Sequence, residues 1–161
     1  MIILGIDPGT ATTGYGAIKI FSKNSKKNKT LECLNFGCIK TKPKDNFPKR
    51  LLILSQEIRK LVKTHKPQIA AIESLFFFKN QKTVIRVSEA TGVIILTLEK
   101  MKIPIVEYSP LQVKKFLTKN GRAEKKDIQK KVGKILKIKD RSVRDDAADA
   151  LALALYAAKH L

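Results

Sequence analysis

The chain has 161 residues, 43% of them hydrophobic, and its 33 basic residues exceed 14 acidic ones to give a formal net charge of +19. This length buries one good core, while the apolar runs are far shorter than the roughly 20 residues that span a bilayer. We therefore expect a single domain over residues 1–161, cytoplasmic and without a secretory signal. Nucleic acid fits the charge better than an anionic membrane, because no basic amphipathic anchor or lipidation motif accompanies it; a solvated lysine-rich surface is the alternative.

The first forty residues predict three antiparallel strands. Residues 2–7 form a short buried strand that Pro8 and Gly9 end, 14–21 form the second strand, and a lysine-rich turn leads to a third strand over 31–39. The third strand contains the only cysteines, Cys33 and Cys38. No further Cys or nearby His completes a zinc site, so we expect buried free thiols.

The rest of the chain predicts alternating helices and strands. Helical spacing of apolar residues starts at Phe47, residues 68–73 form a buried strand, a second helix follows, and 104–108 form a fifth strand. Three helical segments complete the chain: 111–118, a stripe of Ile128, Val132 and Ile135, and an alanine-rich helix from about residue 144. This order predicts an α/β fold whose five-stranded mixed sheet has three antiparallel strands, then two parallel ones, with helices on both faces.

Acidic residues in apolar surroundings suggest a functional site, because a buried carboxylate is costly unless it is paired or binds a cation. Asp7 ends the first strand, and Glu73 ends the fourth after the apolar run 69–72. Asp146 and Asp149 are three residues apart on the last helix and therefore share a face. If the first and fourth strands are neighbours, these carboxylates meet at one edge of the sheet.

Such a cluster favours a metal-dependent phosphodiesterase. Clustered carboxylates do not stay ionised without cations, and their oxygen ligands suit Mg²⁺, or Mn²⁺ in its place, rather than zinc. We expect two ions per site. One would activate a water, and the other would stabilise the leaving 3′ oxygen of an in-line displacement.

Each acid also has a purely structural explanation. Asp7 could belong to a plain turn, Glu73 could end a surface strand, and the aspartates could cap the last helix. Asp145 and Asp149 are four residues apart, and this spacing places them on one helix face just as the spacing of three does for Asp146 and Asp149. Spacing alone therefore does not choose between Asp145 and Asp146.

The motifs resemble the RuvC family of Holliday-junction resolvases, in order and over nearly the whole chain. They are Ile-Leu-Gly-Ile-Asp7-Pro-Gly-Thr with Thr-Gly-Tyr-Gly16, Ala-Ile-Glu73, Gln112-Val113-Lys114, Gly121-Arg122-Ala123-Glu124-Lys125 and Asp146-Ala-Ala-Asp149-Ala-Leu-Ala. The resemblance implies an RNase H-like fold, a homodimer, and Mg²⁺-dependent paired nicking of four-way DNA junctions in homologous recombination and repair. It also implies the branch-migration motor proteins RuvA and RuvB as partners.

The same resemblance assigns roles to residues. It implies that the catalytic and metal-binding acids are Asp7, Glu73, Asp146 and Asp149, and so selects Asp146 over Asp145. It places Phe76 in a loop where the ring would stack on an unpaired base at the crossover, while Phe77 and Phe78 face either DNA or the core. It matches Lys114 and Lys125 to basic positions near the scissile phosphate. Apart from the resemblance, Lys79, Lys82 and Arg86 recur at intervals of three and four on the predicted second helix, which favours either a clamp on the DNA backbone or a solvated face, and Arg122 is a further basic candidate. Ordinary solvation better explains Lys115, Lys126, Lys130, Lys131 and Lys134.

Three other function classes compete. The segment from Asp7 to Thr10 is similar to the phosphate-binding turn of actin-like and sugar-kinase ATPases, but those need two lobes, which 161 residues do not supply. A related RNase H-like nuclease acting on RNA or on other branched DNA would share the acidic cluster. A non-catalytic basic DNA-binding protein explains the charge but not the acids, which would repel phosphate.

Overall fold

A computed structural model describes residues 1–22, 29–74, 81–138 and 145–161, except for the side chains of residues 22, 29, 81–83 and 145. Its strands are β1 (Ile2–Asp7), β2 (Thr12–Ser22), β3 (Lys29–Lys40), β4 (Ile69–Glu73) and β5 (Ile105–Tyr108). Its helices are α1 (Phe47–His65), α2 (Gln81–Lys100), α3 (Pro110–Thr118), α4 (Lys125–Leu136) and α5 (Asp145–His160). In these ranges, no helix has the length and apolar character needed to cross a membrane.

The sheet has the predicted mixed topology. Its strand order is β3-β2-β1-β4-β5, with β1 antiparallel to β2 and parallel to β4. β2 pairs antiparallel with β3, and β4 pairs parallel with β5. The α/β prediction of three antiparallel strands followed by two parallel ones is therefore confirmed, although β2 and β3 extend further than their apolar patterns predict.

Helices cover both faces of the sheet, because successive residues of each buried strand point to opposite sides. Ile3 belongs to a core with the buried residues of α3, α4 and α5, whereas its neighbour Leu4 belongs to a core with those of α1 and α2. The small residues of α5, such as Ala150 and Ala154, are fully buried against the sheet. Two cores thus enclose β1 and β4 from both sides.

The helices begin and end at identifiable caps. Asn46 accepts a hydrogen bond from the backbone N–H of Lys49 at the start of α1, and Ser109 forms a capping box with Gln112 at the start of α3. Within the described ranges, every residue with a positive φ is a lysine, namely Lys66, Lys102, Lys119 and Lys137, with φ values of 49–60°. Lys66, Lys119 and Lys137 are the C-caps of α1, α3 and α4.

Two sequence-based expectations need correction. Cys33 and Cys38 are not joined in a disulfide, but both are half-buried rather than buried as predicted, because they lie on β3, the edge strand of the sheet. Ile135, predicted to belong to the apolar stripe of α4, is 41% exposed, and Leu136 is buried in its place. Adjacent residues on a helix differ by about 100°, so an error of one position changes the face.

Candidate active site

Asp7 and Glu73 lie side by side at the carboxyl ends of two parallel strands. The register of β1 and β4 pairs Ile6 with Ile72, so the next residue of each strand is an acid. Both side chains are half-buried, and a hydrogen bond joins the two carboxyl groups. The expectation that the first and fourth strands are neighbours is therefore confirmed.

Helix α5 brings its acids to the same place because glycines let its backbone touch the sheet. A Cβ atom at Gly14 would lie 1.9 Å from the carbonyl oxygen of Asp146, and one at Gly5 would lie 1.9 Å from that of Ala150. Gly14 is the antiparallel partner of Asp7 in the β1–β2 ladder. Only the absence of a side chain permits this approach, which holds Asp146 above the strand position next to Asp7.

The grouping of the acids perturbs their ionisation. Burial, the hydrogen bond with Glu73, and the charges of Glu73, Asp149 and Asp146 raise the pKa of Asp7 far above its ordinary value of 3.8. Burial is also the main cause that raises the pKa of Asp149 to about 6, with Glu73 and Asp146 adding to it and Lys125 and Lys114 opposing it. Each of the four acids therefore acts on at least one other, so they form one electrostatic cluster.

A cavity of about 300 Å³ opens beside this cluster. Asp7, Glu73 and Asp149 line it together with Lys114 of α3 and Lys125 of α4. The rest of its wall is mostly apolar and consists of Pro110, Val113, Ile128, Ala152 and Leu153. A phosphate in this cavity would meet both carboxyl and ammonium groups.

The turn that follows Asp7 is tied to the rest of the molecule. Arg50 of α1 donates hydrogen bonds to the carbonyl oxygen of Thr10 and, at 2.8 Å, to the hydroxyl of Thr41. Within the turn, the Thr13 hydroxyl donates to the carbonyl oxygen of Gly9 at 3.1 Å. These bonds fix the backbone that leaves the site, and thereby help to hold Asp7 in position.

The donor chemistry of the cluster fits a divalent cation. Four carboxylates supply only oxygen ligands, which hard cations prefer, and a cation would relieve the repulsion that raises the pKa of Asp7. Across the part of the chain that the structure describes, no three His, Cys, Asp or Glu side chains are already spaced to hold a metal ion together. The fit therefore rests on the identity and charge of the donors and not on preformed ligand geometry.

The other predicted DNA contacts are distributed differently. Phe76 and Lys79, with Phe77 and Phe78, lie outside the described residues, as do the side chains of Lys82 and Asp145. Arg86 is on α2, where it pairs with Glu89 at 3.2 Å and stacks over the ring of Phe47 at 4.2 Å. Arg122 is exposed in the turn before α4. Of the four basic candidates whose side chains the structure describes, Lys114 and Lys125 are the two that line the cavity.

Sequence reasoning missed the residues that assemble the site. The motifs contain Gly5 and Gly14 without indicating a structural role for them, and none of the motifs includes Arg50. A glycine inside a strand often marks a close backbone approach, so Gly5, Gly14 and Gly16 could have predicted a helix packed directly on β1 and β2. Nothing local in the sequence identifies Arg50, since Thr10 is 40 residues away.

Comparisons with known proteins agree over almost the whole chain. The family model for crossover junction endodeoxyribonuclease RuvC matches residues 3–157. A protein of that name from Petrotoga mobilis is 47% identical over 154 residues, which cover 96% of this chain and 91% of that protein. The solved structure of Thermus thermophilus RuvC is similar with a TM-score of 0.87 at 28% identity, covering 99% of this chain and 95% of that one. T. thermophilus RuvC in complex with a Holliday junction substrate has a TM-score of 0.86 at 25% identity, with coverages of 99% and 94%.

Proposed function

The chain belongs to the RuvC family of crossover junction endodeoxyribonucleases, and from that membership we propose that it resolves four-way (Holliday) DNA junctions by paired nicking, in recombination and repair. The observation that carries the proposal is the cavity that Asp7, Glu73 and Asp149 line together with Lys114 and Lys125. A protein of charge +19 attracts DNA, but a cluster of acids at the contact is useful only where a phosphodiester is cleaved. The junction complex of the T. thermophilus relative supports the choice of substrate.

Family membership implies a divalent metal cofactor, and we propose Mg²⁺, with Mn²⁺ as a substitute and two ions per site. The residues that would hold them are Asp7, Glu73, Asp146 and Asp149. When bound, the ions supply the positive charge that activates water and stabilises the leaving 3′ oxygen of an in-line displacement. The raised pKa values of Asp7 and Asp149 support this assignment, because a cation is what allows such neighbouring carboxylates to ionise together.

The basic wall of the cavity has a separate role in the proposal. Lys114 and Lys125 lie close enough to the acids to lower the pKa of Asp149. Their ammonium groups would orient the scissile phosphate and offset the negative charge that develops during its cleavage.

We also propose a homodimer, since two cavities are needed to nick a junction symmetrically. Support comes from an apolar stripe on α2 made of Ile85, Gly92 and Leu96, which are seven and four residues apart and therefore share a face. Ile85 is 60% and Leu96 is 53% exposed. A two-fold axis beside this stripe would bury the same surface on both subunits.

The remaining proposed contacts rest on the family for Phe76 and on the position of basic residues for the others. Phe76 would stack on a base unpaired at the crossover, and the backbone contacts outside the cavity would be made by Lys79, Lys82, Arg86 and Arg122. Arg86 would have to exchange its pairing with Glu89 for a phosphate. RuvA and RuvB are the proposed partners, and a single cytoplasmic domain is the proposed form of the protein.

The test is nicking of an end-labelled, immobile four-way junction with and without Mg²⁺. We expect paired nicks near the crossover that disappear in the variants Asp7→Asn, Glu73→Gln, Asp146→Asn and Asp149→Asn, while junction binding persists or tightens because each variant removes negative charge. Asp145→Asn is the matched control and should keep its activity.

The same assay has outcomes that would reject the proposal. If none of the four acids matters, the nuclease assignment is wrong; if Asp145→Asn is inactive and Asp146→Asn is active, the choice of residue on α5 is wrong. Flapped DNA and structured RNA serve as competing substrates. If either one is cleaved faster than the junction, that nucleic acid is the preferred substrate and the junction assignment is wrong.

A further inference from the structure

The outer face of α4 carries a row of lysines that the cavity does not use. Lys126, Lys130 and Lys134, here called the α4 stripe, follow one another at intervals of four residues and are exposed. The opposite face of the helix holds Ile128, Val132 and Leu136, which are buried in the core beneath α5. The stripe therefore points away from the protein interior along most of the helix.

The described part of the chain offers the α4 stripe no ion pair. Three ion pairs occur there, on α1 and its N-terminal side and on α2, and none involves a residue of α4. Asp127, an acid on the same helix, instead accepts a hydrogen bond from the backbone N–H of Glu124 at 3.3 Å. Lysines four residues apart repel one another by about 0.2–0.5 kcal/mol per pair, so an external anion would stabilise the stripe.

The stripe starts at the mouth of the proposed active site. α4 begins at Lys125, which lines the cavity and lowers the pKa of Asp149, and Lys126 is the next residue. From Lys126 to Lys134 the helix rises about 12 Å. One strand of duplex DNA places about four phosphates over that length, so three regularly spaced ammonium groups match a continuous backbone.

We propose that the α4 stripe binds the phosphate backbone of the duplex arm that leads away from the scissile phosphate. The inference rests on the proposed function and extends it, because it names a second surface that holds the arm while the cavity holds the cleavage site. A lipid bilayer is a poorer occupant, since the apolar face of α4 is buried and offers nothing to insert. The contact is electrostatic and independent of base sequence.

The experiment compares two triple variants that lose the same charge. Lys126, Lys130 and Lys134 are replaced by glutamine in one, and Lys49, Lys60 and Lys63 of α1, which covers the other face of the sheet, in the other. Both lower the formal net charge from +19 to +16. Junction affinity is measured over a range of salt concentrations without divalent metal.

We expect the slope of log K against log salt to become shallower by about 2 to 3 in the α4 variant, since each lost phosphate contact removes about 0.9. The α1 variant should change the slope by less than about 1. Equal changes in the two variants would overturn the proposal, because they would mean that only net charge matters. Lysine-to-arginine substitution of the whole α4 stripe should restore the wild-type slope.

Position along the arm is tested with neutral methylphosphonates placed one at a time. About four consecutive positions should weaken wild-type binding and leave the α4 variant unaffected, which is the mark of a shared contact. Equal weakening of both proteins at every position would refute the proposal.

If the triple variant does not fold, the single variants Lys130→Gln and Lys134→Gln test the same contact, and each should change the slope of log K against log salt by about 1. If the wild-type protein does not nick junctions, the proposed function is rejected but the α4 stripe proposal is not, because the salt dependence of junction binding is measured without cleavage.

Discussion

Replacing Gly14 by alanine should move α5 away from the sheet and slow junction nicking about a hundredfold. The new Cβ would lie 1.9 Å from the carbonyl oxygen of Asp146 and 2.5 Å from its carbonyl carbon. Both atoms belong to the backbone, so no rotation of a side chain relieves the overlap. Because Gly14 pairs with Asp7, the displacement is greatest where the acids meet.

The size of the effect follows from that distance. Ordinary contact needs about 3.5 Å, so the start of α5 must withdraw by about 1.5 Å. Misplacing a reacting group by about 1 Å costs on the order of a hundredfold in rate, which corresponds to about 2.7 kcal/mol. Overpacking costs the fold a further ~1–3 kcal/mol, so the variant should still fold but melt at a lower temperature.

Gly16→Ala is the matched control. Its Cβ would meet the side chain of Leu151, with Cδ2 at 2.6 Å and Cγ at 2.7 Å, whereas the backbone Cα of Leu151 is 3.1 Å away, so the overlap with the backbone of α5 is much smaller than at Gly14. Single-turnover nicking, Mn²⁺ affinity and melting temperature are measured for both variants. Gly14→Ala should weaken both nicking and Mn²⁺ binding, whereas Gly16→Ala should mainly lower stability. Comparable losses of Mn²⁺ affinity in the two, or wild-type nicking by Gly14→Ala, would refute the idea that this contact positions Asp146.

Three further outcomes are expected. Without metal, lowering the pH from about 7.5 to about 5 should raise the melting temperature more in the wild type than in Asp149→Asn. The pKa of Asp149 is about 6 in the folded protein and lower in the unfolded chain, so the ionised carboxylate destabilises the fold above pH 6 and protonation below pH 6 relieves this destabilisation. An equal rise in both proteins would contradict the assignment. Leu96→Glu should make the protein monomeric, as measured by light scattering, and should uncouple the two nicks of a pair. A variant that remains dimeric would show that the interface lies elsewhere. Phe76→Ala should lower nicking of intact junctions about thirtyfold, from a loss of about 2 kcal/mol of stacking, with partial rescue on pre-opened junctions; wild-type cleavage by a folded variant would reject the stacking role.

The sequence predicts the sheet and the acidic cluster for a physical reason. Apolar periodicity distinguishes strands from helices, and once β1 and β4 are parallel neighbours, Asp7 and Glu73 must emerge together. Asp149 follows because it shares a face of α5 with Asp146. The choice of Asp146 over Asp145 came only from the family resemblance, since a spacing of three and a spacing of four are equally cofacial.

Other parts of the site depend on distances that no local pattern contains. The contact of Gly14 with Asp146 joins residues more than 130 positions apart, and it exists only after the sheet and α5 have packed. The bond from Arg50 to Thr10 is similar. The prediction that Ile135 is buried is wrong for a different reason. Ile135 and Leu136 are adjacent apolar residues, so the sequence does not decide which of them belongs to the apolar stripe of α4, and in the structure it is Leu136 that is buried.

The four lysines with left-handed backbone show how this chain balances stability against affinity. Glycine would adopt the same conformation without the strain of roughly 1–2 kcal/mol that a side chain incurs there, yet each of these positions carries a positive charge instead. A more heat-resistant protein is thus available by glycine substitution, but every step weakens attraction to DNA. The positions are not equivalent: Lys119 and Lys137 follow α3 and α4, next to the proposed DNA surface, whereas Lys66 and Lys102 follow α1 and α2. Thermal resistance should therefore be sought at Lys66 and Lys102, where the exchange costs least binding.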